Sequence, residues 1–119
     1  MLKPDDHRNA PIHLQLVGQM KATTADNKDI LPVGRKLRAL LAVIVMSAPE
    51  PVMRRRLEEL LWSGRSRDQQ RASLRQEIHR LSLALIRPNP DFDILDIRRD
   101  RIGFYHGVIS TDVDPNVDG

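Results

Sequence analysis

The first regular pattern along the chain is an alternation of apolar and polar residues over 12–17, which ends at Gly18. A period of two predicts a β-strand with one buried face, because successive side chains of a strand point to opposite sides. Residues 20–25 can pair back onto this strand. Residues 30–33 can add a short third strand, since Pro32 is tolerated at a sheet edge. An N-terminal antiparallel sheet is therefore predicted.

Three later segments have the spacing of apolar residues that is typical of amphipathic helices. The first lies between Gly34 and Pro49, the second covers about 52–62, and the third covers about 68–86. Trp62, at the end of the second, is predicted to anchor the core between helices. The residues predicted to be buried are Leu37, Leu40, Leu41, Ile44 and Val45 in the first helix, Leu57, Leu60 and Leu61 in the second, and Leu74, Ile78, Leu81 and Leu85 in the third.

Two short apolar runs follow the helices, at 94–97 and 102–105, and they flank the sequence Arg98-Arg99-Asp100-Arg101. This pattern predicts a β-hairpin with a basic tip. The order of strands, three helices and a hairpin predicts an α+β fold. The second and third helices could form a helix-turn-helix, with the hairpin as its wing. The predicted fold is a winged helix-turn-helix with an N-terminal antiparallel sheet, three helices and a C-terminal β-hairpin wing.

The length of 119 residues suits a single compact domain, which we place at 12–108. Residues 1–11 are predicted to be a flexible lead. Residues 109–119 have no periodicity and are predicted to be a linker or a cut end towards a further C-terminal domain.

Composition narrows the class of protein. The 40% hydrophobic and 29% charged residues are values of a globular domain, and the absence of cysteine excludes disulfides and thiolate metal sites. The net charge is +3, and arginines crowd between Arg54 and Arg101, which is compatible with a polyanionic partner. The longest apolar run, 39–46, is too short to span a bilayer, and residues 1–9 lack the apolar centre of a secretory signal. We therefore expect a cytoplasmic protein without a membrane partner.

Three motifs over 35–85 carry a family resemblance. They are Lys36-Leu37-Arg38-Ala39-Leu40-Leu41-Ala42, Leu57-Glu58-Glu59-Leu60-Leu61-Trp62 and Arg71-Ala72-Ser73-Leu74-Arg75-Gln76-Glu77-Ile78-His79-Arg80-Leu81. In this order and spacing they resemble the winged helix-turn-helix domain of OmpR/PhoB-type response regulators. They are more similar still to the N-terminal domain of the SARP family, the streptomycete antibiotic regulatory protein-like transcriptional regulators. Residues 14–18 are similar to the first strand of that family, and 111–114 to its linker.

The resemblance implies a sequence-specific DNA-binding domain of a bacterial transcription regulator. It also implies that the protein binds direct repeats in a promoter, as a homodimer or as tandem protomers, and helps to recruit RNA polymerase. A further domain of helical repeats normally follows the domain in SARP-like regulators.

The third helix offers the chemistry for such binding, because a helix fits the DNA major groove and its exposed side chains reach base edges. Amides pair well with adenine and arginine with guanine, whereas arginines beside the reading face or in the hairpin suit phosphates or an adjacent minor groove. The residues predicted to contact bases are Gln69, Ser73, Gln76, His79 and Arg80. Those predicted to contact the DNA backbone are Arg54, Arg65, Arg67, Arg71, Arg75, Arg98, Arg99 and Arg101.

Two alternatives stay open. Glu77 and Ser82, which depart from the family pattern, are compatible with a winged helix that serves as a protein-interaction or dimerisation module without sequence-specific DNA binding. The domain could also be the output part of a larger signalling protein. Among the arginines, those at 54–56 could instead pair with Glu58 and Glu59 at helical spacing.

An enzyme is not predicted. The chain has no glycine-rich phosphate loop with lysine, no cysteine nucleophile and no Ser-His arrangement with an orienting motif. We also predict no cofactor and no metal site, because the histidines are scattered and the acidic tail lacks the glycine and the closing glutamate of a calcium loop.

Overall fold

The computed structural model describes residues 10–88 and 93–112, which form an α+β domain of three helices and six strands. The elements are β1 (Ile12–Gln15), β2 (Lys21–Thr24), α1 (Arg35–Ser47), β3 (Val52–Met53), α2 (Arg54–Leu61), α3 (Arg67–Ile86), β4 (Leu95–Ile97), β5 (Arg101–Phe104) and β6 (Ile109–Thr111). The predicted α+β class is confirmed. Residues 1–9 of the predicted lead and 113–119 of the predicted linker lie outside the described residues.

The first sheet contains β1 at its centre, in the order β2-β1-β6. β1 and β2 are antiparallel, with Leu14 opposite Ala22, and both residues are fully buried. The predicted N-terminal antiparallel pair is therefore confirmed. The third strand predicted at 30–33 is wrong, because these residues form no strand and the nearest pairing is an isolated bridge between Thr23 and Asp29. Pro32 has no N–H with which to continue a ladder.

The predicted domain boundary at 108 is also wrong, since β6 runs from Ile109 to Thr111 and pairs in parallel with β1. The carboxylate of Asp112 extends this attachment by accepting hydrogen bonds from the backbone N–H groups of Leu16, at 2.8 Å, and Val17, at 3.0 Å. These backbone donors lower the pKa of Asp112, because they stabilise its charged form. The sequence missed β6 because a strand of three residues is too short to show a period.

α1 follows Gly34, whose φ of +114° is a conformation that favours glycine, and it ends before Pro49. Its five predicted core residues are all buried, which confirms its apolar face. α2 begins at Arg54 rather than near Val52, because Val52 and Met53 extend as β3 and pair with β5.

Leu60 is the one predicted core residue of α2 that the structure leaves exposed, with 57% of its surface accessible. Leu57 and Leu61, four residues apart, form the buried line of this eight-residue helix. Leu60 lies three residues after Leu57 and is rotated by about 60° from it, beyond the narrow stripe that so short a helix buries.

The second sheet has the order β3-β5-β4, and β4 and β5 form the predicted hairpin. The backbone of β5 comes close to the connector after α1: a Cβ added to Gly103 would lie 3.2 Å from the Cα of Pro51. Because Gly103 has no side chain, β5 can pack directly against Pro51. This contact holds the hairpin beside the connector between α1 and β3. Ile94, Leu95 and Ile102 join the same core as the helices. Within the described residues, no helix has the length and apolarity needed to cross a membrane.

Candidate nucleic-acid interface

The candidate interface centres on α3, which begins at Arg67, one residue before its predicted start, and ends at Ile86 as predicted. Ser66 caps its N-terminus by accepting a hydrogen bond from the N–H of Gln69, and the Gln69 side chain accepts one in return from the N–H of Ser66. This reciprocal cap satisfies two backbone donors that a helix start leaves free. The cap fixes the first residue of the helix. The position of this residue determines which side chains of α3 face solvent.

A buried hydrogen bond fixes α3 to the end of α2. The side chain of Gln70, which is 7% exposed, donates to the carbonyl of Trp62 at 2.9 Å. Trp62 is buried, as predicted, and its carbonyl also accepts from the N–H of Arg65 at 3.1 Å. Gln70 was not predicted to be buried from the sequence. It lies four residues before Leu74 and so extends the apolar line of α3 by one turn.

Lys36 is a second residue whose role the sequence did not reveal. Its ammonium group donates to the carbonyl of Leu61 in the last turn of α2, and it lies 5.7 Å from the centre of the Trp62 ring. A cation is favourable at both places, because the C-terminal end of a helix and the face of an indole ring carry partial negative charge. Lys36 therefore joins the start of α1 to the turn that leads into α3.

The side chains predicted to contact bases do share one face of α3. Gln69, Gln76, His79 and Arg80 are exposed, and Ser73 is half-buried at the side of this face. The three arginines predicted to contact the DNA backbone from α3 are exposed as well: Arg67, Arg71 and Arg75. The predicted buried residues Leu74, Ile78, Leu81 and Leu85 lie on the opposite side. The helix thus separates a polar, basic face from the core.

The two amides on this face differ in what they can still bind. The Oε1 atom of Gln69 is occupied by the cap of α3, which leaves its amide nitrogen free. The side chain of Gln76 makes no hydrogen bond with any other residue that the structure describes, so both its amide donor and its amide acceptor are available. Bidentate pairing with adenine needs both atoms. Gln76 is consequently the better placed of the two for base contact.

The loop before α3 reaches onto the same face. A guanidinium N–H of Arg65 donates to the hydroxyl of Ser73 at 2.8 Å, across eight residues of sequence. Arg65 was predicted to contact phosphate, and the structure places it beside one of the predicted base-contacting residues.

Glu77 lies next to Arg80, which follows it by three residues, about one turn, on α3. Its Oε2 atom is 3.4 Å from a guanidinium nitrogen of Arg80, and its side chain is only 15% exposed. A half-buried carboxylate therefore lies beside the basic side chains of α3.

At the hairpin tip, two of the three arginines have acidic partners. The guanidinium of Arg98 lies 2.6 Å from the carboxylate of Asp96, and that of Arg101 lies 3.2 Å from the carboxylate of Asp100. The hydrogen bond to Asp96 and the negative charge of Asp96 raise the pKa of Arg98 above its ordinary value. Arg99 has no ion pair with any described residue.

Arg54, at the start of α2, connects this helix to the hairpin. Its backbone N–H donates to the carbonyl of Asp100 at 2.8 Å, and its Nε atom is buried without a hydrogen-bond partner among the described residues. The neighbouring Arg55 forms an ion pair with Glu59 at 3.2 Å, so one of the pairings considered for the arginines at 54–56 is present. Arg54 is thus half-buried against the hairpin.

Within the described part of the chain, no group of three or more His, Asp or Glu side chains is arranged to hold a metal ion. Comparison of the chain with known proteins gives no match to a family model, to a curated protein or to a solved structure.

Proposed function

We propose that this chain is the sequence-specific DNA-binding domain of a bacterial transcription regulator that acts in the cytoplasm. In this proposal α3 lies in the major groove, and the hairpin at 93–105 touches the adjacent backbone or minor groove. The domain has no catalytic role. The motif resemblance adds binding to direct repeats by tandem protomers or a homodimer, and contact with RNA polymerase.

The observation that carries the proposal is the composition of the two faces of α3. One face packs into the core, and the helix as a whole has four arginines against two acids, with the uncommitted amide of Gln76 on its exposed side. Amides and guanidinium groups on a rigid exposed helix are the groups that recognise base edges. Three of the four arginines, Arg67, Arg71 and Arg75, have no carboxylate partner among the described residues, which supports binding to phosphates.

The arrangement around α3 gives further support. The element order α1-β3-α2-α3-β4-β5, with β3 paired to the hairpin, is the order expected of a winged helix. α3 packs on α2 and α1, and β5 packs on α1 and β3, so a common scaffold carries the two predicted DNA-contacting elements.

Selection from a pool of random-sequence DNA duplexes tests the proposal. The wild-type chain should enrich a defined sequence, and the double variant Gln76→Ala with Arg80→Ala should lose that enrichment while it stays folded. The double variant Gln19→Ala with Arg35→Ala is the matched control, since it removes an exposed amide and an exposed arginine outside α3. Enrichment that survives the loss of Gln76 and Arg80 would refute base reading by α3.

The alternative of a protein-interaction or dimerisation module has one observation in its favour, the exposed Leu60 on α2. The dependence of binding on salt concentration distinguishes the two functions. Binding to DNA through several arginines weakens steeply as salt rises, because released counterions drive it, whereas contact through an apolar side chain does not weaken in this way.

A further inference from the structure

The carboxylate of Glu77 is unusual among the acids that form ion pairs in the described residues. Its side chain is 15% exposed, whereas those of Asp96, Asp100, Glu59 and Asp26 are between 31% and 66% exposed. It also lies on α3, whose four arginines outnumber its two acids. A carboxylate there repels DNA phosphates, so it lowers affinity. Its presence needs a reason other than strength of binding.

Folding stability does not supply that reason. The partner of Glu77 is Arg80, three residues later on α3, and the 3.4 Å contact is made to a guanidinium that is 56% exposed. Pairs of this kind, with one partner largely in water, add little to the stability of a protein. The more important effect is on the position of Arg80, since an ion pair one turn away restricts the directions that a long side chain can take.

Arginine has five N–H donors in a rigid planar fork. The contact with Glu77 uses one nitrogen of Arg80, and the remaining donors stay exposed on the face that also bears Gln76. An arginine in this state can still present two donors to the O6 and N7 atoms of guanine. A freely moving arginine at the same place could instead bind a phosphate, which carries no sequence information.

We propose that Glu77 determines specificity by positioning Arg80. Its carboxylate directs the guanidinium of Arg80 to the edge of a guanine in the major groove and away from the phosphates. This inference rests on the proposed function. It makes Glu77 a positioning residue that lowers affinity for every DNA sequence and raises the preference for one base pair.

The test compares Glu77→Gln with Glu59→Gln. Both substitutions keep the shape of the side chain and remove one negative charge from an ion pair with arginine, but only Glu77 lies on α3. The wild-type chain first selects a consensus from a pool of random duplexes. Each variant is then titrated against that consensus, against the consensus with single base pairs replaced, and against a shuffled duplex. Thermal melting verifies that each variant folds, and Glu77→Ala serves as a second substitution.

At the base pair that depends on Arg80, we expect the preference of Glu77→Gln and of Glu77→Ala to fall about tenfold. Binding of the shuffled duplex should tighten about twofold to fivefold, because one repulsive charge is gone. Glu59→Gln should leave the base preference unchanged. In the Arg80→Ala background, the Glu77→Gln change should have no further effect on base preference, since the residue through which Glu77 acts is missing.

Three results would overturn the inference. An unchanged base preference in Glu77→Gln shows that Arg80 needs no positioning. A loss of preference that persists in the Arg80→Ala background shows that Glu77 contacts a base directly. An equal change in Glu59→Gln shows an effect of net charge alone. In all three cases the wild-type chain still selects a consensus and the proposed function stands, whereas a wild-type chain that selects none refutes the proposed function itself.

Discussion

The arginines of α3 and those at the tip of the β4–β5 hairpin lie in different electrostatic surroundings. On α3, Arg67, Arg71 and Arg75 are exposed and have no ion pair with any described residue. At the tip, Arg98 and Arg101 each contact a carboxylate, so only Arg99 is uncompensated there. The sequence predicted DNA contacts for both groups of arginines, and the structure shows that the two groups differ in how many have acidic partners.

The spacing of charges relative to the local structure explains the difference. Asp96 and Arg98 are two residues apart at the end of a strand, where such residues point to the same side and meet. Arg71 and Arg75 are four residues apart on a helix, which puts two like charges next to each other. They cannot neutralise one another, and binding to phosphate relieves their repulsion. The number of arginines in a segment therefore overstates the charge that it can offer to DNA.

The largest effect should follow from changes on α3. The double variant Arg71→Gln with Arg75→Gln should weaken DNA binding about 30-fold near 150 mM salt and lower the salt slope by about 1.8, because two phosphate contacts and their released counterions are lost. Fluorescence anisotropy of a labelled duplex over a range of salt concentrations measures both quantities.

Lys21→Gln with Arg35→Gln is the matched control, since it removes two exposed positive charges from β2 and α1. An equal loss in that control would mean that net charge, and not the face of α3, governs binding.

The hairpin tip should show a smaller effect that depends on pairing. Arg99→Gln should weaken binding about fivefold, as expected for one phosphate contact, whereas Arg98→Gln should change it less than about twofold because Asp96 already neutralises that arginine. The same anisotropy titration compares the two variants. Equal losses would show that the contact between Asp96 and Arg98 breaks when DNA binds.

Removing the acidic partner of Arg98 should make the charge of the hairpin tip more similar to that of α3. Asp96→Asn removes the acceptor charge beside Arg98, so we expect DNA binding to tighten about twofold to threefold and the salt slope to steepen. Asp93→Asn makes the same change of charge at an exposed position just before β4. If both variants tighten binding equally, the effect is a general one of charge and the pairing at the tip has no special role.

The smallest effect on DNA binding is expected at Asp112, whose carboxylate serves folding instead of charge compensation. Its pKa is lowered by hydrogen bonds from the backbone of Leu16 and Val17. The stability that it contributes is therefore fully present above the ordinary carboxylate pKa of about 3.9 and is lost as the pH falls through the lower value of the folded state.

Asp112→Asn should accordingly be less stable than the wild type at neutral pH, with a difference that shrinks and vanishes in strong acid, while DNA affinity stays the same. Urea unfolding at a series of pH values measures the first, and anisotropy the second. A stability difference that is independent of pH would contradict the role of the charged carboxylate.

Much of the helical part could be predicted because α1 and α3, with 13 and 20 residues, are long enough to repeat their pattern. The 20 residues of α3 show a clear buried line, and its exposed side chains were placed on the outside as expected. Short elements were less predictable. β3 has two residues and β6 has three, so neither shows a period, and the narrow buried stripe of α2 excluded Leu60.

The polar contacts around the candidate site were the least predictable. Gln70 and Lys36 bond to carbonyls of Trp62 and Leu61, and such acceptors belong to the backbone and leave no mark on the sequence. The contact between Arg65 and Ser73 depends on the course of the loop before α3.

By itself, the sequence determined the α+β class, the three helices, the hairpin and the polar face of α3, because hydrophobic periodicity is a local property of the chain. Only the tertiary structure decided which polar groups from separate elements meet. It brought β6 to β1, placed the carboxylate of Asp112 on the backbone N–H groups of Leu16 and Val17, and set the side chains of Gln70 and Lys36 against the carbonyls of Trp62 and Leu61. The physical reason is that electrostatic and hydrogen-bonding partners are selected by distance in space, which the order of residues along the chain does not specify.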